Sequence, residues 1–111
     1  MEKSNRFYSS RQEKKIAKIV DGRMVPNSGA TPLMKGDVTT SRLLIEAKTT
    51  VRPQKSFSIQ KAWIEKLREE SLAFGKVGVL AFDFGENGTQ FFVLQEDDFK
   101  QMYQAWLSQQ E

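Results

Sequence analysis

The spacing of apolar and polar residues predicts eight elements of secondary structure along the chain. Apolar residues recur at helical spacing between Ser10 and Asp21-Gly22, in a second segment that Ser56 or Ser58 can cap and that ends at Gly75, and after Asp97 or Asp98. Shorter apolar runs predict strands around 23–26, 37–40, 43–49, 77–84 and 89–94. The order α-β-β-β-α-β-β-α predicts a mixed central sheet flanked by helices, a fold of the α/β or α+β class.

Residues 37–49 predict a strand hairpin with its turn at Ser41-Arg42. Antiparallel pairing about this turn matches residues whose numbers sum to about 83, so Asp37 faces Glu46 with Cβ atoms roughly 5 Å apart. One face of the hairpin is apolar and suits a core; its residues are Val38, Thr40, Leu43, Ile45 and Ala47. Leu44 is the exception, since alternation places it on the polar face.

The polar face of this hairpin carries the most informative chemistry. Lys48 lies two residues after Glu46, so it shares a face with Glu46 and Asp37. Two carboxylates opposite each other destabilise a strand pair unless a partner offsets their charge. Lys48 offsets one charge, and a divalent cation held by Asp37, Glu46 and the carbonyl of Ala47 would offset the rest. Such a group can polarise a phosphodiester and activate a water.

Composition narrows this chemistry. The 111 residues contain no Cys and no His, which excludes disulfides, thiolate metal sites and Ser-His catalysis. Any metal must therefore be bound by oxygen, which favours Mg²⁺ or Mn²⁺. A hydrophobic content of 39% and a charged content of 28% fit one globular domain over residues 1–111. Without a long apolar run or a signal peptide, we expect no membrane contact and a cytoplasmic location.

Charge is unevenly distributed between the two halves of the chain. Residues 1–61 hold 13 Lys or Arg and 5 Asp or Glu, a net of +8, whereas residues 62–111 have a net of −5. A basic first half predicts a polyanionic partner, with an ordinary solvated surface as the alternative. The basic side chains in this half are candidate phosphate contacts, with Lys35 and Lys55 preferred because they flank the carboxylate strands.

Two segments carry a family resemblance. Ser28-Gly29, then Lys35-Gly36-Asp37-Val38, and then Ile45-Glu46-Ala47-Lys48-Thr49-Thr50 resemble the PD-(D/E)xK nuclease superfamily. The chain looks most like the small Holliday-junction resolvases of archaea and phages. The likeness follows element order over residues 7–95 and is specific over 28–50. Gly36 stands where the name-giving motif has Pro, a common variation in the superfamily.

The resemblance implies a restriction-endonuclease-like fold and a Mg²⁺-dependent endonuclease whose partner is branched or duplex DNA. It also implies a homodimer with two active sites, without a nucleotide cofactor. It implies that Asp37, Glu46, Lys48 and Glu13 are catalytic, with Asp37, Glu46, Ala47 and Glu13 binding the metal. It also implies a phage or a similar mobile element as the source, and hence the host cytoplasm. The predicted DNA-binding residues are Arg11, Lys14, Ser28, Lys35, Arg42, Lys55 and Gln60.

Several alternatives stay open at this point. Glu13 also has the capping-box spacing from Ser10, so it is either a ligand or half of a helix cap. The substrate could be that of a repair, flap or end-processing nuclease, or the chain could be a non-catalytic nucleic-acid-binding module. Most aromatic residues are expected in the core rather than stacked on bases. The apolar side of the last helix is likewise expected to be core rather than a dimer interface.

Overall fold

The computed structural model describes residues 4–25 and 37–110. Its helices are α1 (Asn5–Val20), α2 (Lys61–Ala73) and α3 (Glu96–Gln110). Its strands are β1 (Arg23–Met24), β2 (Val38–Thr39), β3 (Leu43–Lys48), β4 (Val77–Phe82) and β5 (Phe91–Val93). This order confirms the predicted α-β-β-β-α-β-β-α arrangement and its α+β class. The loop that carries Ser28, Lys35 and Gly36 lies outside the described residues.

The helix starts differ from those predicted. α1 begins one and a half turns before Ser10, because the Ser4 hydroxyl accepts a hydrogen bond from the Phe7 amide at 3.3 Å and caps the helix there. Glu13 therefore lies inside the helix, and the capping-box interpretation is wrong. α2 starts at Lys61 after Gln60, which makes no side-chain cap, so the proposed caps at Ser56 and Ser58 are also wrong.

The strands form one five-stranded sheet in the order β1-β2-β3-β4-β5. β3 and β4 are parallel and the other neighbours are antiparallel. In the β2–β3 hairpin, Val38 pairs with Ile45 and Thr39 with Leu44, which confirms the register predicted from the sequence. β4 lies between β3 and β5, as expected of a strand too apolar for an edge.

Each face of the sheet has its own core. On one face, Ile16 of α1 packs with Val38, Ile45, Val79 and Ala81. On the other, Leu67 of α2 packs with Leu44 and Leu80. Leu44 lies on the side of Glu46 and Lys48, as alternation predicts, and it is fully buried because α2 covers that face.

α2 and β4 approach each other closely at Gly78. A Cβ atom at this position would lie 2.9 Å from the Ser71 Oγ and 3.0 Å from the Leu67 Cγ. Only glycine leaves room for this contact, and it brings α2 down onto the sheet. The close packing fixes α2 next to Glu46 and Lys48, which face the same side as Leu44.

α3 does not behave as the predicted core helix. None of its residues is buried, and its apolar side chains are 40–58% exposed. These are Phe99, Met102, Tyr103, Trp106 and Leu107. The core prediction is also wrong for Phe84, Phe91 and Phe92, which are 36–44% exposed. No helix among the described residues combines the length and apolar character needed to cross a bilayer.

Candidate active site

The β2–β3 hairpin brings the two predicted carboxylates together. The Asp37 amide donates to the Ile45 carbonyl at 2.8 Å, which extends the ladder by one residue beyond β2. The Asp37 Oδ2 then accepts from the Ala47 amide at 2.8 Å. Asp37 is therefore held opposite Glu46 by hydrogen bonds to Ile45 and Ala47, the two neighbours of Glu46 in β3, as the predicted register requires.

These two acids are held in an environment that disfavours their charge. Burial raises the pKa of Asp37, against the hydrogen bond from Ala47 and the Lys48 charge, which lower it. Burial first, and then the charge of Asp37, raises the pKa of Glu46. Both carboxylates thus lie close enough to interact, and both would gain from a nearby cation.

Glu13 joins this acidic group from α1. Its side chain is 6% exposed, and burial followed by the Asp37 charge raises its pKa to about 7. The Glu46 charge acts in the same direction, whereas the charge of Arg6 opposes it. In the sequence, Arg6 is only one of several basic residues in the first half. In the structure it lies near the acids, about two turns before Glu13 on the same helix.

Lys48 has two partners on the α2 side of the sheet. Its Nζ lies 3.7 Å from the Glu46 Oε1 and 4.5 Å from the centre of the Trp63 ring. An ammonium group at this distance from an indole is held by a cation–π interaction. Lys48 is therefore oriented by one acid and one aromatic ring, and its side chain remains about 30% exposed.

α2 contributes residues that sequence reasoning missed. A small cleft of about 50 Å³ is lined by Glu46, Lys48, Trp63, Lys66, Leu67 and Glu70. This volume is enough for a water molecule. Trp63, Lys66 and Glu70 recur at intervals of three and four residues, so they share one helix face. That spacing was visible in the sequence, but nothing in it indicated that this face covers the Glu46–Lys48 strand.

A buried polar network lies behind Lys48. The Gln12 Nε2 donates to the Lys48 carbonyl at 2.7 Å and to the Gln90 Oε1 at 2.9 Å. The Gln90 Nε2 donates to Asp83 at 2.7 Å, and Asp83 also accepts from the Thr49 hydroxyl at 2.6 Å. These bonds tie α1, the ends of β3 and β4, and the start of β5 together, so the backbone of Lys48 is fixed.

The predicted DNA-binding residues are scattered. Lys14 and Lys55 are exposed, whereas the Arg11 guanidinium lies 5.3 Å from the rings of both Phe7 and Tyr8. Arg42 lies at the hairpin turn, at the opposite end of β3 from Lys48, roughly 20 Å away at 3.3 Å per residue. Gln60 immediately precedes α2 and is exposed. Ser28 and Lys35 fall outside the described residues.

The donor set fits a hard cation. Mg²⁺ in proteins is held by one or two carboxylates and keeps several waters, which matches Asp37, Glu46 and the Ala47 carbonyl. Within residues 4–25 and 37–110, no three Asp, Glu, His or Cys side chains are placed so that they could hold one metal ion together. The role of Glu13 as a further ligand stays a prediction.

Comparisons with family models, with curated proteins and with solved structures find no match for this chain. The family resemblance therefore depends on the quoted residues and on the position of those that the structure describes.

Proposed function

We propose that this chain is a Mg²⁺-dependent DNA endonuclease of the PD-(D/E)xK type that resolves four-way junctions as a cytoplasmic homodimer. The observation that carries the proposal is the placement of Asp37, Glu46 and Lys48. The hairpin register sets the acids opposite each other, and Lys48 lies 3.7 Å from Glu46 on the same face. Asp37 directly precedes β2, and Glu46-Ala47-Lys48 ends the neighbouring strand β3, which supports the Asp and Glu-x-Lys arrangement of this nuclease pattern.

The chain's own residues have distinct tasks in this scheme. Asp37, Glu46 and the Ala47 carbonyl would hold the cation, which when bound supplies charge stabilisation and a more acidic water. Lys48 places a fixed positive charge beside the phosphate, where negative charge grows in the transition state. Trp63 and Glu46 orient Lys48, and the network through Gln12 keeps its backbone in place.

The raised pKa values support this assignment. Burying acids near one another destabilises the fold unless a ligand compensates, because each ionised carboxylate loses hydration and repels the next. Asp37, Glu46 and Glu13 all have pKa values raised by burial, and Asp37 raises those of the other two. A bound divalent cation is the simplest compensation. Clusters of perturbed acids of this kind are common at functional sites.

The dimer part of the proposal is supported by α3. Its large apolar side chains are 40–58% exposed, which is unusual for a helix that packs only against its own chain. Phe99 stacks on Tyr103 with ring centres 6.3 Å apart, and the Trp106 ring lies tilted against Tyr103 at 6.1 Å. A second copy presenting the same side would bury both rows in one symmetric contact.

The test is cleavage of a synthetic four-way junction in Mg²⁺, with blunt duplex of the same sequence as the comparison. Asp37→Asn and Glu46→Gln should each lower the rate by about 100-fold or more, because each removes a charged metal donor while keeping shape. Lys48→Ala should also cost about 100-fold, through loss of transition-state stabilisation. The wild type should also cleave the junction when Mn²⁺ replaces Mg²⁺.

The matched control is Glu65→Gln, which removes an exposed carboxylate from α2 outside the cleft. It should cleave at the wild-type rate. Unchanged cleavage by all three site variants would refute the assignment. Cleavage of the duplex as fast as the junction would keep the nuclease and refute the junction selectivity.

A further inference from the structure

A cluster of phenylalanine rings lies beside the candidate active site. Phe82 stacks on Phe57 with ring centres 5.1 Å apart and on Phe91 at 5.5 Å. Phe84 packs edge-on against both Phe82 and Phe91, at 5.6 and 5.5 Å. The inner rings are half-buried, whereas Phe84 and Phe91 are 36% and 44% exposed. The cluster therefore presents aromatic surface to the solvent.

This surface shares a sheet face with Lys48. Lys48 pairs with Phe82 across β3 and β4, and Phe82 pairs with Phe91 across β4 and β5. Directly paired residues point to the same face, so these three side chains form one row. At about 4.8 Å per strand, Phe91 lies roughly 10 Å from Lys48. A nucleotide next to a phosphate held at Lys48 can reach that distance.

The backbone next to this aromatic surface is held in place by a hydrogen bond and a close contact. The Gln54 amide donates to the Phe84 carbonyl at 2.8 Å, so the segment after β3 runs against the end of β4. Gly85 allows this approach, because a Cβ there would lie 2.9 Å from the Pro53 Cα. Lys55 follows in the same segment and is exposed, which places a second cation between this contact and Phe57.

We propose that the exposed rings of Phe91 and Phe84 stack an unpaired nucleobase next to the scissile phosphate. The inference builds on the proposed function and names its substrate class: DNA in which the base beside the cut is unpaired. Aromatic faces with cations along the backbone path are the recurring means by which proteins bind single-stranded nucleic acid. A nucleobase fits this surface better than a protein partner does, because Lys48 and Lys55 flank the rings and would attract phosphates.

β5 provides a matched control. Phe91 and Phe92 are neighbours on this strand and similarly exposed, at 44% and 40%, but they point to opposite faces of the sheet. Phe92 therefore faces away from Lys48. Replacing either residue removes the same exposed aromatic area from the same strand, and only Phe91 removes the proposed stacking surface.

The experiment measures DNA binding by fluorescence anisotropy in a Glu46→Gln background, so that the DNA stays intact. The probes are a forked duplex with unpaired thymidine arms and a blunt duplex with the same paired sequence. Phe91→Ala should raise the Kd for the fork by about 5- to 100-fold. It should change the Kd for the blunt duplex less than about twofold, and Phe92→Ala should change neither.

A 2-aminopurine in the arm gives a second readout. Its fluorescence should be quenched on binding, and Phe91→Leu, which keeps the strand apolar, should relieve that quenching. Equal effects of the two alanine variants, or equal effects on fork and blunt duplex, would overturn the stacking proposal. So would dissociation of a wild-type dimer by Phe91→Ala in sedimentation velocity, because a second copy would then cover the rings.

These outcomes separate the two proposals. If Asp37→Asn abolishes cleavage but Phe91→Ala leaves fork binding unchanged, the nuclease stands and stacking fails. If Phe91→Ala weakens fork binding while the site variants leave cleavage unchanged, stacking stands and the nuclease assignment fails.

Discussion

Replacing Glu13 by Gln tests whether the buried carboxylates of this site lower the stability of the fold. Glu13 is 6% exposed, and burial followed by the charge of Asp37 raises its pKa from 4.5 to about 7. Between these two pH values the folded state binds more protons than the unfolded state. The stability of the wild type should therefore fall as pH rises from about 4.5 to about 7. Glu13→Gln should remove the part of this fall that Glu13 contributes, whereas Asp37 and Glu46, whose pKa values are also raised, keep their own part.

The magnitude follows from the size of the shift. The difference between 4.5 and about 7, at 1.36 kcal/mol per pKa unit, is on the order of 3 kcal/mol. Glu13→Gln should therefore match the wild type near pH 4 and exceed its free energy of unfolding by that amount at pH 8. In a domain of this size the gain is roughly 10 to 20 °C in Tm.

The assay is urea unfolding followed by circular dichroism, at several pH values and with EDTA to remove divalent cations. Glu65→Gln is the control, because Glu65 is exposed on α2 and should show the wild-type pH dependence. Adding Mg²⁺ at pH 8 should stabilise the wild type more than Glu13→Gln if the acids share a cation. The reasoning is refuted if wild type and Glu13→Gln stay within about 0.5 kcal/mol across the whole range.

Three further substitutions test the fold and the proposed dimer. Leu44→Ala should cost about 2 to 5 kcal/mol in urea unfolding, whereas Leu72→Ala, at a 64% exposed position, should cost less than about 0.5. Gly78→Ala should cost about 1 to 3 kcal/mol, because its Cβ would meet Ser71 and Leu67 of α2. Trp106→Glu should shift sedimentation from dimer to monomer, and an unchanged mass would remove α3 from the interface.

Local rules were sufficient for the hairpin. Alternation with a period of two and a two-residue turn at Ser41-Arg42 defined the pairing of Val38 with Ile45, and the structure has that pairing. The same alternation put Leu44 on the side of Glu46 and Lys48. Alternation could not predict that α2 covers this side, because burial of Leu44 depends on where α2 docks. Docking in turn depends on Gly78, which is far away in sequence.

The site shows the same limit. Asp37 and Glu46 are close in sequence, and their proximity follows from one turn. Trp63 approaches Lys48 only because the β3-α2-β4 connection returns over the sheet. The prediction for the aromatic residues failed for a related reason. Phenylalanine is expected in cores, but β5 lies at the edge of the described sheet, where Phe91 is 44% exposed.

The polar groups around Lys48 point to a site rather than to a stabilising ion-pair group. The Glu46–Lys48 pair is partly exposed and adds little to stability, whereas burial of Glu13 and Asp37 near Glu46 lowers stability. The chain nevertheless places Asp37, Glu46 and Glu13 together, and it uses Gln12, Gln90 and Asp83 to fix the strand end that carries Lys48. Hydrogen bonds that hold a destabilising group of acids in one geometry are expected where that geometry binds a cation and a phosphate.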